Sequence, residues 1–195
     1  MKKALLGVAL AMLPTAAFAH VGLGHVDGFA HGFEHPIGGA DHVLAMVAVG
    51  LLAARQGGRA LWATPLAFMG MMVVGGALGV AHVDVPFVEL GIGLSVVVLG
   101  LVLAFGVGLP APAAAALVGF FAIFHGHAHG AEMPDTAAGL AYGAGFIAAT
   151  GLLHLTGIAI GLGARRLRSG LRPRVFRVAG AAFAAAGAAI LGGAL

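Results

Sequence analysis

His35-Pro36-Ile37-Gly38-Gly39-Ala40-Asp41-His42 runs without a break into an apolar stretch over residues 43–54. Two imidazoles and a carboxylate thus stand at the mouth of a segment suited only to a lipid or protein interior, where ionisable groups are costly and mark ion pathways. If Pro36 takes the first helical position that proline favours, His35 and His42 lie two turns apart on nearly one face. Asp41 then falls about 100° round from His42, with Met46 one turn below it. Imidazole and carboxylate suit a divalent first-row metal, and a carboxylate can hold an imidazole in its binding tautomer. The stretch reads as half of a metal site. The plainer reading is that these residues only cap and solvate a helix mouth.

The rest of the chain is as apolar as this segment. Of 195 residues, 61% are hydrophobic and only 9% charged, with a mean hydropathy of +1.05, which is too apolar for a soluble domain of this length. The expected fold is all-α, a polytopic membrane helix bundle. Six runs are long enough, at ~1.5 Å per helical residue, to cross a hydrocarbon core of ~30 Å. They cover residues 37–54, 60–81, 86–105, 110–129, 137–164 and 175–195, the first and fourth being marginal because their outer ends carry polar motifs. The runs are continuous, without the alternation a membrane β-barrel needs.

Lys2 and Lys3, an apolar run over residues 4–13, Pro14 and the ending Ala17-Phe18-Ala19 match the three regions of a secretory signal peptide, assigned to residues 1–19. Cleavage there would leave His20 as the N-terminus, its amine and ring nitrogen able to chelate a metal together. An uncleaved signal anchor is the alternative. Residues 20–36 form a His- and acid-rich leader with His20, His25, Asp27, His31 and Glu34, either a metal-capture segment or a solvated one. Residues 37–195 form the six-helix transmembrane domain. With the mature N-terminus outside, Arg55, Arg59, the arginines of residues 165–174 and Arg177 fall on the cytoplasmic side, and all seven acids fall at or near the outer side, as does the C-terminus. That arrangement belongs to a multi-pass protein of the bacterial inner membrane, and its acidic, histidine-rich outer face attracts cations.

Several classes drop out. There is no cysteine, so disulfides, thiolate metal sites and thiol catalysis are excluded. The net charge of +3 comes from arginines at membrane boundaries rather than a patch interleaved with aromatics, which argues against nucleic acid. No phosphate-binding GxxxxGK[ST] loop occurs, so the chain carries no ATPase of its own. The 34 glycines, in series such as Gly70, Gly75, Gly76 and Gly79 or Gly139, Gly143 and Gly145, read as close helix packing in lipid.

A second cluster ends the fourth run: Phe124-His125-Gly126-His127-Ala128-His129-Gly130-Ala131-Glu132. His125 and His129 are one turn apart on a shared face that Glu132 would continue, whereas His127 points the other way on a regular helix. Because this run climbs from inside to outside, the cluster reaches the membrane level of Asp41 and His42. His154, deep in the fifth run, is either a lower relay for an ion or a core residue bonded to a carbonyl or to a hydroxyl such as Thr150. His82, Asp84 and Glu89, on the second outer connection, read as a solvated loop, with membership of the outer vestibule as the alternative.

These residues resemble the HupE/UreJ family of hydrogenase- and urease-associated membrane proteins. Gly32-Phe33-Glu34-His35-Pro36 with Gly39, Asp41, His42, Leu44-Ala45-Met46 and Ala48-Val49-Gly50-Leu51 looks like the family's first-helix HX5DH signature. Phe124-His125-Gly126 with Ala128-His129-Gly130 and Glu132 looks like its fourth-helix FHG signature. Gly145-Phe146, Ala149-Thr150, Leu153-His154 and Gly157 are similar to its fifth helix, and Arg177, Gly180 and Gly187 to its last. The resemblance implies permeation of nickel, with cobalt as the alternative, to supply nickel enzymes such as hydrogenase or urease. It implies as ligands His35, Asp41, His42, His125, His129, Glu132 and His154; Met46, His127 and His20 rank below them. No prosthetic group is implied, the Ni(2+) or Co(2+) being cargo. The partners are that ion, the lipid bilayer and, as an open alternative, a second copy of the chain. The main rival is an intramembrane zinc hydrolase, with Glu132 or Asp41 as base. The two serines, Ser95 and Ser169, lie far from the motifs in sequence, which argues against a serine nucleophile. A metal sensor or buffer would need a partner domain.

Overall fold

The computed structural model describes residues 28–133 and 137–194. Among them the secondary structure is entirely helical: α1 (Gly28–Gly38), α2 (Ala40–Gln56), α3 (Ala60–Val80), α4 (Val88–Ala104), α5 (Ala111–Ala131), α6 (Ala137–Arg165) and α7 (Arg172–Leu191). The helices α3, α5, α6 and α7 are long and apolar enough to cross a membrane. Bent by 81° at their junction, α1 and α2 pass the same test only as a pair, and α4 is apolar but shorter at 17 residues. Residues 1–19, read as a signal peptide, and His20 lie outside the described residues.

The first sequence run departs most from expectation. Pro36 does not open a helix; it sits inside α1, which begins at Gly28 and ends at Gly38. Gly39 is extended (φ −93°, ψ 121°), and a new helix starts at Ala40. A proline removes one intrahelical hydrogen bond and crowds the preceding turn, and the glycine pair that follows offers little resistance to breaking. His35 and His42 therefore occupy two helices at a sharp angle, not two turns of one.

Glycine determines which helices touch. Along α3 and α5, a methyl on Gly126 would run into the Met72 carbonyl, one on Gly130 into the Gly76 carbonyl and one on Gly75 into the Ile123 carbonyl, so the two backbones are in direct contact. Gly50 on α2 and Gly157 on α6 meet the His154 and Val47 carbonyls in the same way, and Gly32 on α1 and Gly145 on α6 meet those of Tyr142 and Phe29. Gly100 of α4 lies against Gly180 and Ala184 of α7. Small residues let helices approach this closely where no hydrophobic force drives them together. Gly70, by contrast, faces open space. In sequence direction α3 and α5 run parallel, α1 and α2 follow α6 in parallel, and α4 and α7 are antiparallel. The chain direction thus alternates from α2 through α7. Phe68, Met46, Leu52, Leu99 and Val118 fill the centre, with α2 in contact with α3, α4, α6 and α7.

Candidate metal site

The break at Gly39 brings the motifs together. Asp41 is in the first turn of α2 and accepts the His42 backbone N–H on Oδ1 at 2.7 Å, which satisfies a donor that a helix start leaves open. A carboxylate is also favourable at this positive end of the helix. His42, one residue on, is 2% exposed and turned into the bundle. From α5, His125 is fully buried and its Nδ1 lies 3.3 Å from His42 Nε2. His129, one turn further out, sets its ring 4.5 Å from His42 and 4.7 Å from His35 of α1, measured between centroids. His35, His129 and Glu132, which follows the last residue of α5, offer ligand atoms that all lie within 4.8 Å of one another. The negative end of the α5 dipole adds to the attraction for a cation.

Two levels result. Glu132, His35 and His129 form the more accessible one, and His42 with His125 the buried one. The His129 Nδ1 is buried with no hydrogen-bond partner. Phe146 of α6 packs on this group, 4.5 Å from His129 and 5.4 Å from His42 between centroids. Tyr142 and His31 extend it outward, with ring centroids 6.0 Å from His35 in each case.

The deeper pair is oriented from behind. Ser95 Oγ donates to the Ile92 carbonyl at 2.6 Å, so at 2.9 Å from His125 Nε2 it is placed to accept the ring N–H. That leaves the His125 Nδ1 lone pair facing His42. On the other ring, His42 Nδ1 lies 3.8 Å from Asp41 Oδ1, the side a carboxylate favours for the proton. Two lone pairs then face the same small space, an arrangement a cation relieves. Two nitrogens bound to one ion at ~2.0–2.1 Å each can lie no more than about 4.2 Å apart, and the 3.3 Å spacing here is within that reach.

The sequence places Ser95 away from the motifs, and the structure corrects this: α4 carries it across 30 positions to the centre of the cluster. The visible signal was a single buried hydroxyl in an otherwise apolar run, which hydrophobic patterning does not distinguish. Phe146, Tyr142 and His31 were missed as neighbours because their contacts depend on how α1 and α6 pack. Fully buried and giving its proton to the Ile92 carbonyl, Ser95 is placed as an acceptor for His125 rather than as a nucleophile that His125 would deprotonate.

The remaining candidates lie apart. His127 is turned toward the α3–α4 loop, its Nε2 2.8 Å from the Val83 carbonyl. Met46 is wholly buried in the apolar core. His154 is 1% exposed, and neither ring nitrogen has a hydrogen-bond partner. The suggested bond to Thr150 is not made; that hydroxyl points to the Met72 sulfur at 3.9 Å. The Phe68 ring stands between the levels, 5.8 Å from His125 and 5.3 Å from His154 between centroids. His154 packs level with Gly50, eight residues below His42 along α2, or roughly 12 Å at ~1.5 Å per residue. Asp84 and Glu89 are exposed.

A family profile described as HupE / UreJ protein matches residues 8–190. Protein HupE of Rhizobium leguminosarum bv. viciae is 49% identical over 182 residues, covering 93% of this chain and 93% of that protein. No solved structure matches. With a match over nearly its whole length and a full-length relative at this identity, the chain belongs to the HupE/UreJ protein family.

Proposed function

We propose that the chain is a permease for a divalent transition metal, nickel first and cobalt as the close alternative. It would carry the ion into the cytoplasm to supply nickel enzymes such as hydrogenase or urease. The observation that carries this reading is the pair of buried imidazole nitrogens 3.3 Å apart, each oriented by a second group, directly beneath a more open set of two imidazoles and a carboxylate. His35, His129 and Glu132 take the hydrated ion and remove part of its shell. His42 and His125, with Asp41 balancing charge, hold it next. His154, whose ring nitrogens are unpartnered, receives it beyond Phe68. A shifting subset of ligands lets the ion leave, whereas one closed cage would trap it.

Membrane potential suffices as the driving force. At ~2.3 kcal/mol per charge per 100 mV, a divalent ion gains roughly 4.6 kcal/mol, a concentration ratio above about a thousandfold. The reading is transport rather than catalysis, with no prosthetic group. In the proposed topology α2 to α7 are six spans in the inner membrane, the short α4 included, after a cleaved signal peptide and with both ends of the mature chain outside. The alternating chain direction supports it, as does the grouping of Arg55, Arg59, Arg165 and Arg172 at the end away from the histidines.

The test is uptake of nickel, cobalt and zinc into vesicles holding the purified chain, against protein-free vesicles. Equal uptake of all three with and without protein would remove the reading. Uptake should fall as external pH drops below the ordinary imidazole range, about 6.5, because imidazole coordinates only when neutral; a flat profile would count against these ligands. Ser95→Ala should raise the nickel concentration for half-maximal uptake about 10–100-fold, the scale for losing a group that orients a ligand. Ser95→Thr should restore it. An unchanged value in the alanine variant would refute the tautomer argument.

A further inference from the structure

At the end of the bundle away from the histidines is a cavity of about 330 Å³ whose lining includes four guanidinium groups, those of Arg55, Arg165, Arg172 and Arg177. It lies about 20 Å from His42, thirteen residues further along α2 at ~1.5 Å each. No carboxylate lines it. Four cations around one concavity repel one another, and membrane-boundary arginines need only point outward to water.

Two of them are fixed in place. Arg55 donates to the Val102 carbonyl at 3.2 Å and to the Gly106 carbonyl, and Arg165 donates to the Ala54 carbonyl at 3.1 Å. Each of these acceptors lies in or just beyond the last turns of α2 or α4, where carbonyls lack intrahelical partners. Helix-end capping therefore accounts for these two arginines. It does not account for Arg172 and Arg177 at the opposite, positive end of α7, where a cation is unfavourable. Neither makes an ion pair or side-chain hydrogen bond among the described residues. On one side the cavity is closed by buried Leu103 and Phe176.

We propose that this cavity is a phosphate-binding site, separate from the metal pathway. Guanidinium is the group best matched to phosphate oxygens, which it can hold with two parallel hydrogen bonds. The positive end of the α7 dipole favours the same anion. The phosphate belongs either to an anionic lipid headgroup or to a small soluble phosphate. Basic pockets between transmembrane helices hold lipid headgroups, and exposed Leu167, Leu171 and Val175 around the start of α7 would meet acyl chains.

The test is thermal unfolding of the full purified chain in detergent, with phosphatidylglycerol, phosphatidylcholine or inorganic phosphate added separately. The expected result is a rise in midpoint of roughly 5 °C or more with phosphatidylglycerol near saturation, and little change with phosphatidylcholine. The rise should disappear in the double variant Arg172→Gln/Arg177→Gln, both exposed positions whose side chains make no ion pair or hydrogen bond among the described residues. A rise with inorganic phosphate alone, lost in the same variant, keeps the site and assigns it to the soluble ligand. No rise in any condition, or an equal rise in the double variant, overturns the proposal. Nickel uptake by the wild-type chain is a separate readout: its failure removes the permease reading and leaves the phosphate result standing, and a missing rise in midpoint removes the phosphate site and leaves the permease reading standing.

Discussion

Cells carrying His42→Ala are expected to accumulate no more nickel or cobalt than cells lacking the chain, with the variant protein present at normal level in the membrane. His42 is where the two levels join. Its Nε2 faces His125 Nδ1 at 3.3 Å, its ring touches the His129 ring, and its Nδ1 lies on the Asp41 side. Truncation removes one of the two deep donors and leaves the His125 lone pair facing a void, so an ion taken up outside has no second site to move to. Loss of an outer-shell partner alone costs about 10–100-fold in metal affinity, and removal of a ligand should exceed that. Asp41→Asn should be milder, because the amide still accepts the His42 backbone N–H and loses only the charge. Measuring cell nickel, cobalt and zinc together under metal depletion checks the prediction. Normal contents in His42→Ala would remove the deep pair from the pathway.

Gly126→Ala is expected to be among the most damaging single methyl additions in the chain. The new carbon would meet the Met72 carbonyl where α3 and α5 are in backbone contact, and neither is a flexible side-chain end that could move aside. Overpacking costs about 1–3 kcal/mol when side chains can adjust; here a whole helix must shift. The same displacement moves His125 and His129, on either side of Gly126, away from α2. The measurement is unfolding temperature and metal uptake of the detergent-purified protein, with Gly70→Ala as control. Gly70 lies on α3 facing open space, so its methyl should be neutral or slightly stabilising through helix propensity. Equal loss in both variants would mean that glycine acts through helix flexibility, not contact.

The chain itself made the membrane class and the helix content readable. Long uninterrupted apolar runs with arginines between them fix these locally, whatever the helices pack against. The two motifs were legible as residue types, and His125 and His129 share a face by helix period alone, whereas the helix carrying Asp41 and His42 was expected to open at Pro36 and opens at Ala40. The cluster's location at one end of the bundle also followed, from the direction in which each run travels.

Tertiary structure decided the rest. Periodicity cannot report that Pro36 lies inside one helix and that the turn to the next falls at Gly39, since both readings satisfy the same residues; the packing of Gly32 and Gly145 between α1 and α6 selects one. Nor can it bring Ser95 to His125, Phe68 between His125 and His154, or Arg172 and Arg177 around a cavity with Arg55. Those meetings join residues 30 to more than 100 positions apart. In a chain of near-uniform hydrophobicity, which faces meet is determined by where glycine lets two backbones touch, a property of helix pairs that no single run of sequence contains.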